Sequence, residues 1–265
     1  LERSGAKVGL YTSPHVESVR ERIMVNRRWI PEDRLVACVN RMHPYLEASL
    51  KSTDTYTPTF FEIFTAAAFL HFVAEGVDYA VFEVGLGGRL DATNVTAPVV
   101  CGITPVSYDH TDKLGGTLDL IGWEKAGILK PRTPVVVAPQ EPAALEGIRI
   151  RTRVLETPVR LIGRDVMLDG DDVVTPRRRY AGVRVPLAGA HQRTNAAAAI
   201  AMAEEAMGSR GLRLDPVIVR EGLATVSWRA RIEQVAENPS VIVDAAHNRA
   251  SIRVLLDTLS ERWPG

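Results

Sequence analysis

Several short stretches hold side chains able to do chemistry. Glu83 closes an apolar run and is followed by Gly85-Leu86-Gly87-Gly88-Arg89-Leu90-Asp91-Ala92-Thr93-Asn94. A carboxylate buried at a strand tip costs several kcal/mol unless it is paired. A hard cation such as magnesium would offset that cost, because it takes carboxylate oxygen and keeps its waters. The glycines let the backbone approach a ligand and supply N–H donors. The bland alternative is a glycine turn with Glu83 paired to Arg89. No Gly-Lys-Ser/Thr follows, so the run is not a Walker phosphate loop.

Each of the other stretches also has two readings. Tyr11-Thr12-Ser13-Pro14-His15 follows an apolar run. Ser13 offers a hydroxyl to metal or phosphate, or Ser-Pro simply makes a turn. His110, in Asp109-His110-Thr111-Asp112, has acidic neighbours that could orient its ring, or it is a surface loop histidine. Lys125, in Trp123-Glu124-Lys125-Ala126-Gly127, is a dipole-matched surface charge at a helix end, or a cation facing phosphate, or a modified anionic ligand. Gln192 and Asn195 stand one turn apart at the head of an alanine-rich stretch. They suit a purine edge, or ordinary capping. Arg231, Asp244, His247 and Asn248 lie around a strand end and a helix start, where phosphate is favoured.

The elements that must position these groups alternate. Strands are expected at Lys7–Tyr11, Tyr79–Val84, Val99–Ile103, Pro134–Ala138 and Val159–Ile162. Helices are expected at Pro31–Leu50, Phe60–Ala74, Leu118–Ala126 and Pro142–Leu155. Apolar strands separated by helices predict an α/β fold with a mostly parallel sheet covered on both faces. Loops at the carboxyl ends of such strands bind ligands. Phe60–Ala74 is apolar nearly all round and reads as a buried helix ended by Gly76. Arg164–Pro186 is polar and predicts short antiparallel strands about an Asp169–Asp172 turn. Gln192–Met207 is strongly helical. Val219–Arg229 reads as a linker, after which Ile232–Val235, Val241–Asp244 and Ser251–Ser260 open a second α/β unit. The expected domains are 1–218, a 219–229 hinge and 230–265.

The chain has 265 residues, 46% of them hydrophobic, enough for a sizeable core. With 32 basic and 32 acidic residues it offers no electrostatic reason for nucleic acid or an anionic membrane as partner. No apolar run reaches the length of a membrane span. Cys38 and Cys101 lack disulfide or metal spacing and read as buried free thiols in a reducing cytoplasm. Nothing demands a protein partner, so a monomer is expected. The chain opens without methionine, in what reads as a helix end stopped by Gly5, and it closes just after a helix. Both ends are read as truncated.

The order and spacing of Gly9–His15, Phe82–Asn94, Asp109–Asp112, Glu124–Ile128, His191-Gln192 and Asp244–Asn248 together resemble the folylpolyglutamate synthase / dihydrofolate synthase family of the Mur ligase superfamily. The resemblance spans the whole chain. The Phe82–Asn94 stretch is its most specific part and separates this family from the cell-wall Mur ligases. It implies a large ATP-binding domain of the Mur ligase central type, then the start of a Rossmann-like C-terminal domain, with catalysis between them. It implies that ATP phosphorylates a pteroate or folate carboxylate, and that the amine of L-glutamate attacks the acyl phosphate. By resemblance Ser13, Glu83 and His110 match magnesium positions, and Lys125 a lysine that is usually carbamylated. Gln192 and Asn195 match adenine-side positions, and Arg231, Asp244 and His247 match residues brought to ATP by the second domain.

Three departures accompany the resemblance. The phosphate loop is expected upstream of Leu1, so the chain is not expected to turn over alone. Arg229-Ala230 stand where the family has Pro-Gly before an arginine; if that glycine needs positive φ, Ala230 is strained. Most of the second domain is also missing. Two alternatives stand: another Mur-type ligase with a different acceptor, and a non-catalytic nucleotide-binding relic. The Gly-Leu-Gly-Gly-Arg-Leu-Asp run weighs against the first, and joint retention of Glu83, His110, Lys125, Asp244 and His247 weighs against the second.

Overall fold

A computed structural model describes residues 1–51 and 56–263. The chain divides into two compact units, Leu1–Thr96 and Ala97–Gly265.

The first unit is a four-stranded mixed sheet with two helices. Its elements are β1 (Val8–Tyr11), β2 (Ile23–Val25), β3 (Arg28–Trp29), α1 (Glu32–Lys51), α2 (Phe60–Glu75) and β4 (Tyr79–Phe82). The sheet order is β3-β2-β1-β4. β1 pairs with β4 in parallel, Tyr11 opposite Phe82, and antiparallel with β2. The parallel pair is as expected; the β2–β3 hairpin was not. Its strands are three and two residues long. Its turn uses Asn26 and Arg27 at positive φ, the two-residue hairpin geometry, without the glycine that usually announces it.

α2 starts in a capping box between Thr59 and Glu62 and stops at left-handed Gly76. Its buried side, with Ala68 and Phe72, packs with Tyr11, Ile23 and Ile30. Phe60 and Val73 of the same helix are exposed, Val73 at 81%. The expectation of burial all round is therefore corrected: one face is covered.

The second unit holds β5 (Cys101–Ile103), α3 (Thr111–Leu114), α4 (Leu118–Lys125), β6 (Val135–Val137), α5 (Pro142–Val154) and β7 (Val159–Leu161). β5, β6 and β7 form a parallel sheet with β6 in the middle. Val135, Val136 and Val137 are all buried, the pattern of a strand covered on both faces. β8 (Met167–Asp169), β9 (Asp172–Val174) and β10 (Arg179–Tyr180) are antiparallel, with Gly170 at positive φ in the expected turn. α6 (His191–Gly208) packs on β5, β6 and β8. Buried Glu204 of α6 accepts hydrogen bonds from Tyr180 Oη (2.6 Å) and Thr175 Oγ1 (3.0 Å), which ties the antiparallel strands to the helix.

α7 (Pro216–Ala224) occupies part of the stretch read as a linker. Val219–Ala224 are helical, and only 225–229 of that stretch lie outside the helix. The missed signal is Asp215-Pro216: Asp215 caps the Val217 N–H at 2.8 Å and Pro216 takes the first helical position. β11 (Glu233–Glu237), β12 (Ser240–Val243) and α8 (Arg249–Arg262) then form the expected strand–strand–helix sequence. Cys38 is only partly buried, against the expectation; Cys101 is buried, and burial pushes its thiol up to about 11. Among the described residues no helix is long and apolar enough to cross a membrane.

Candidate active site

In the first unit the parallel ladder continues one step past β1 and β4, through Glu83 N–H to Tyr11 C=O at 2.9 Å. The chain then turns, and Ser13 N–H donates to Glu83 Oε2 at 2.8 Å. Two expected site residues thus meet at the carboxyl ends of parallel strands. Glu83 is exposed, which corrects the premise that its carboxylate is buried. The physical reason is that β4 is the edge strand of its sheet and Glu83 lies beyond its last residue. His15 is held separately: its Nδ1 accepts from Arg22 Nε at 2.9 Å.

The glycine run differs from expectation in a useful way. Two of its N–H groups are already bonded within the loop. Gly85 and Leu86 N–H both donate to Asp91 Oδ2 at 3.0 Å. Asp91 Oδ1 accepts from Thr93 N–H (2.9 Å) and Thr93 Oγ1 (2.6 Å). Asp91 therefore acts as an internal anion that shapes the loop after Glu83. The Asp91-Ala92-Thr93 spacing, an aspartate bonding its own backbone two residues on, is the signal that could have shown this.

In the second unit Asp109 and His110 follow β5. His110 adopts φ 47, ψ 41, a left-handed conformation uncommon for histidine, and its side chain is half exposed. Such outliers gather at functional sites. Asp109 Oδ1 accepts the His110 N–H at 2.9 Å. Asp109 Oδ2 accepts from Asn248 Nδ2 at 3.0 Å and lies 3.4 Å from His247 Nε2. The Asn248 bond, with the His110 and His247 groups around it, holds the Asp109 carboxyl below its usual range.

Lys125 ends α4. Two glycines set that helix: a Cβ on Gly122 would meet the Ala144 carbonyl oxygen, and one on Gly147 the Asp119 carbonyl oxygen. α4 and α5 thus cross with their backbones in near contact. Lys125 is partly buried, and desolvation lowers its amine below the usual lysine range, with the Asp109 carboxylate opposing. This is not the environment of an ordinary surface lysine.

At the head of α6 the two amides share a face as expected: Asn195 Nδ2 donates to Gln192 Oε1 at 3.1 Å. Gln192 is buried, and its Nε2 lies 3.0 Å from His191 Nε2. His191 Nδ1 is buried and finds no hydrogen-bond partner among the described residues. Burial lowers the His191 ring below the usual histidine range, with Asp244 raising it and Arg231 lowering it. His191 is a member of this group that sequence reasoning treated only as part of a motif.

Asp244 follows β12 and binds backbone on both sides. Its Oδ2 accepts Ile232 N–H (2.9 Å) and its Oδ1 accepts Ala246 N–H (2.7 Å). It thereby holds the turn that carries Arg231. His247 Nδ1 lies 2.9 Å from the Ala245 carbonyl oxygen.

Among the described residues no group of three or more His, Cys, Asp or Glu could cage a metal. The Ser13 hydroxyl and Glu83 carboxylate are nevertheless hard oxygen donors of the kind magnesium takes, and that ion needs few protein ligands when it also binds phosphate and water. His110, a nitrogen donor, is less suited to magnesium by type.

Residues 40–203 match the Mur ligase middle domain. The chain is 37% identical over 273 residues to the dihydrofolate synthase/folylpolyglutamate synthase of Bacillus subtilis, across 99% of this chain and 63% of that one. The FPGS–AMPPCP–folate complex superposes on it with a TM-score of 0.93 at 35% identity, covering 100% of this chain and 67% of that one. The folylpolyglutamate synthase of Mycobacterium tuberculosis complexed with ADP and AMPPCP gives 0.89 at 33%, covering 98% and 61%. This chain belongs to the Mur ligase family, in its folylpolyglutamate synthase branch. It spans just under two thirds of the B. subtilis relative's length.

One departure of this Mur ligase chain from the family pattern has a structural consequence. Ala230, where the family resemblance implies glycine, sits at φ 54, and Ile232 at φ 50. Left-handed backbone costs an L-residue roughly 1–2 kcal/mol. Glycine removes that cost but gives back about 0.5–1 kcal/mol in unfolded-chain entropy. Ala230→Gly is expected to stabilise the protein by about 0.5–1 kcal/mol, measured by urea unfolding. A loss of stability would contradict the strain.

Proposed function

We propose that this chain supplies the nucleotide-handling residues of an ATP-dependent ligase that joins L-glutamate to dihydropteroate, to a (tetrahydro)folyl-polyglutamate, or to both. The observation that carries this is the match along the entire chain to a complex holding AMPPCP, a non-hydrolysable ATP analogue, and folate. In this proposal residues 1–218 belong to the ATP-binding domain and 230–265 open the Rossmann-like domain, with the hinge in the part of 219–229 that lies outside α7, residues 225–229. ATP and magnesium are the cofactors, folate, glutamate and ATP the only partners, the protein a monomer, and the cytoplasm its site of action.

The roles come from the family resemblance, and local contacts support some of them. Ser13 N–H orients the Glu83 carboxylate, and Ser13 and Glu83 are the hard oxygen donors that would hold magnesium; a metal role for His110 rests on the family resemblance alone. When bound, magnesium supplies charge that offsets the repulsion between a carboxylate and the γ-phosphate. Lys125, lowered by burial, holds a larger neutral fraction than a free lysine. A neutral amine can add CO2 and release a proton, leaving a carbamate in place of a cation. The paired amides of Gln192 and Asn195 offer donor and acceptor atoms to adenine. Asp244 holds the turn that carries Arg231, and Arg231, Asp244 and His247, which precedes the Asn248 cap of α8, are the residues assigned to ATP. The 265 residues contain no Gly-x-x-x-x-Gly-Lys-Ser/Thr, and no turnover is expected from them alone.

The test uses the full-length protein with MgATP and glutamate. ADP release is expected to require dihydropteroate or tetrahydrofolate, and the product to be heavier by one glutamyl residue. ADP release with neither acceptor, or no acceptor-dependent product, overturns the assignment. Release only with an unrelated carboxylate favours the other Mur-type ligase.

A further inference from the structure

Asp109 is used on both oxygens, one of them by a side chain 139 residues further along the chain. Oδ1 takes the N–H of left-handed His110 (2.9 Å), and Oδ2 takes Asn248 Nδ2 (3.0 Å) with His247 Nε2 at 3.4 Å. Asn248 is also used at both ends. It is the N-cap of α8, where its Oδ1 accepts Ser251 N–H at 2.9 Å. Serine, threonine or aspartate would cap that helix as well as asparagine does. Only asparagine caps with its oxygen and still has an NH2 to donate elsewhere. The residue types at both positions therefore fit a link between the His110 loop and the start of α8 rather than two independent local roles.

We propose that Asp109 is a positioning residue, which fixes Asn248 and His247 at the start of α8 against the loop carrying His110. This rests on the ligase assignment above. Its consequence there is protection: an acyl phosphate left open to water hydrolyses to carboxylate and inorganic phosphate, so ATP is consumed without product. The Asp109 link keeps the α8 segment in place while that intermediate exists. Asp109 touches neither substrate nor reacting atoms in this role.

A double-mutant cycle in the full-length enzyme tests it. Asp109→Ala removes the acceptor, and Asn248→Ser keeps the cap while losing the amide donor. Each variant is expected to lower kcat about tenfold with little change in KM for ATP. Each also raises the ADP released per glutamate added, a ratio that a merely structural defect does not move. The double variant is expected to match the single ones. Losses that multiply to about a hundredfold overturn the link, and so does an unchanged ADP-to-product ratio. Should the wild-type enzyme itself release no acceptor-dependent ADP, the ligase assignment fails instead. Amide hydrogen exchange in the first turn of α8 then decides on the link alone: faster exchange in both variants upholds it, and unchanged exchange overturns it.

Discussion

Glu83→Gln in the full-length protein is expected to lower acceptor-dependent ADP release about 10²–10³-fold, the usual cost of losing one pre-positioned charge-stabilising group. The thermal midpoint is expected to stay nearly unchanged. Glutamine keeps the shape and an oxygen able to accept the Ser13 N–H, which now lies 2.8 Å from Oε2. Glu83 is also exposed, so the fold does not desolvate its charge. Activity within about twofold of wild type, at saturating magnesium, would remove Glu83 from the metal site.

Lys125→Met should separate function from stability still more sharply. The lysine is partly buried at the end of α4, and burial lowers its amine below 10.5. Between that lowered value and 10.5 the unfolded chain binds more protons than the folded one. Stability therefore rises with pH across that window, and below it the folded state carries the full cost of a desolvated ammonium. Methionine fills similar space without charge. The variant is expected to be at least as stable as wild type at neutral pH and to lack the lysine's share of the alkaline rise, followed as thermal midpoint against pH. Its activity is expected to fall about 10²–10³-fold. A mass increase of one carbamate on Lys125 at high bicarbonate is the accompanying expectation. Wild-type activity in Lys125→Met would return the residue to a purely structural role.

The core elements were legible because their signals are local. Val135–Val137 are apolar throughout and stand in the middle of a parallel sheet. Gly76 stops its helix in the left-handed conformation, as an αL cap requires. The Asp169–Asp172 turn joins two short strands. The β2–β3 hairpin was hidden because five strand residues leave no period to read, and its Asn26-Arg27 turn lacks glycine. The helix at Pro216–Ala224 was hidden behind an expectation of a linker, although Asp215-Pro216 is a sound start signal.

The candidate site divides in the same way. Ser13 with Glu83, and Gln192 with Asn195, meet as their positions suggested. Ala230 takes the positive φ that the missing glycine implied. What could not be read was long-range satisfaction. Asp244 clasps the Arg231 turn, and Asp109 reaches Asn248 across the unit. In both cases the carboxylate is bonded to this chain's own donors. Hydrogen-bond partners distant in sequence leave no periodic trace, so types and spacing find the carboxylates but not their employment.

The most direct measurement is a crystal structure of the full-length protein with AMPPCP and manganese in place of magnesium, with the anomalous signal locating the ion. The expected result is a peak about 2.1 Å from a Glu83 carboxylate oxygen and within bonding reach of the nucleotide phosphates. A peak bound to nucleotide but remote from Glu83 would contradict the metal role proposed for that carboxylate.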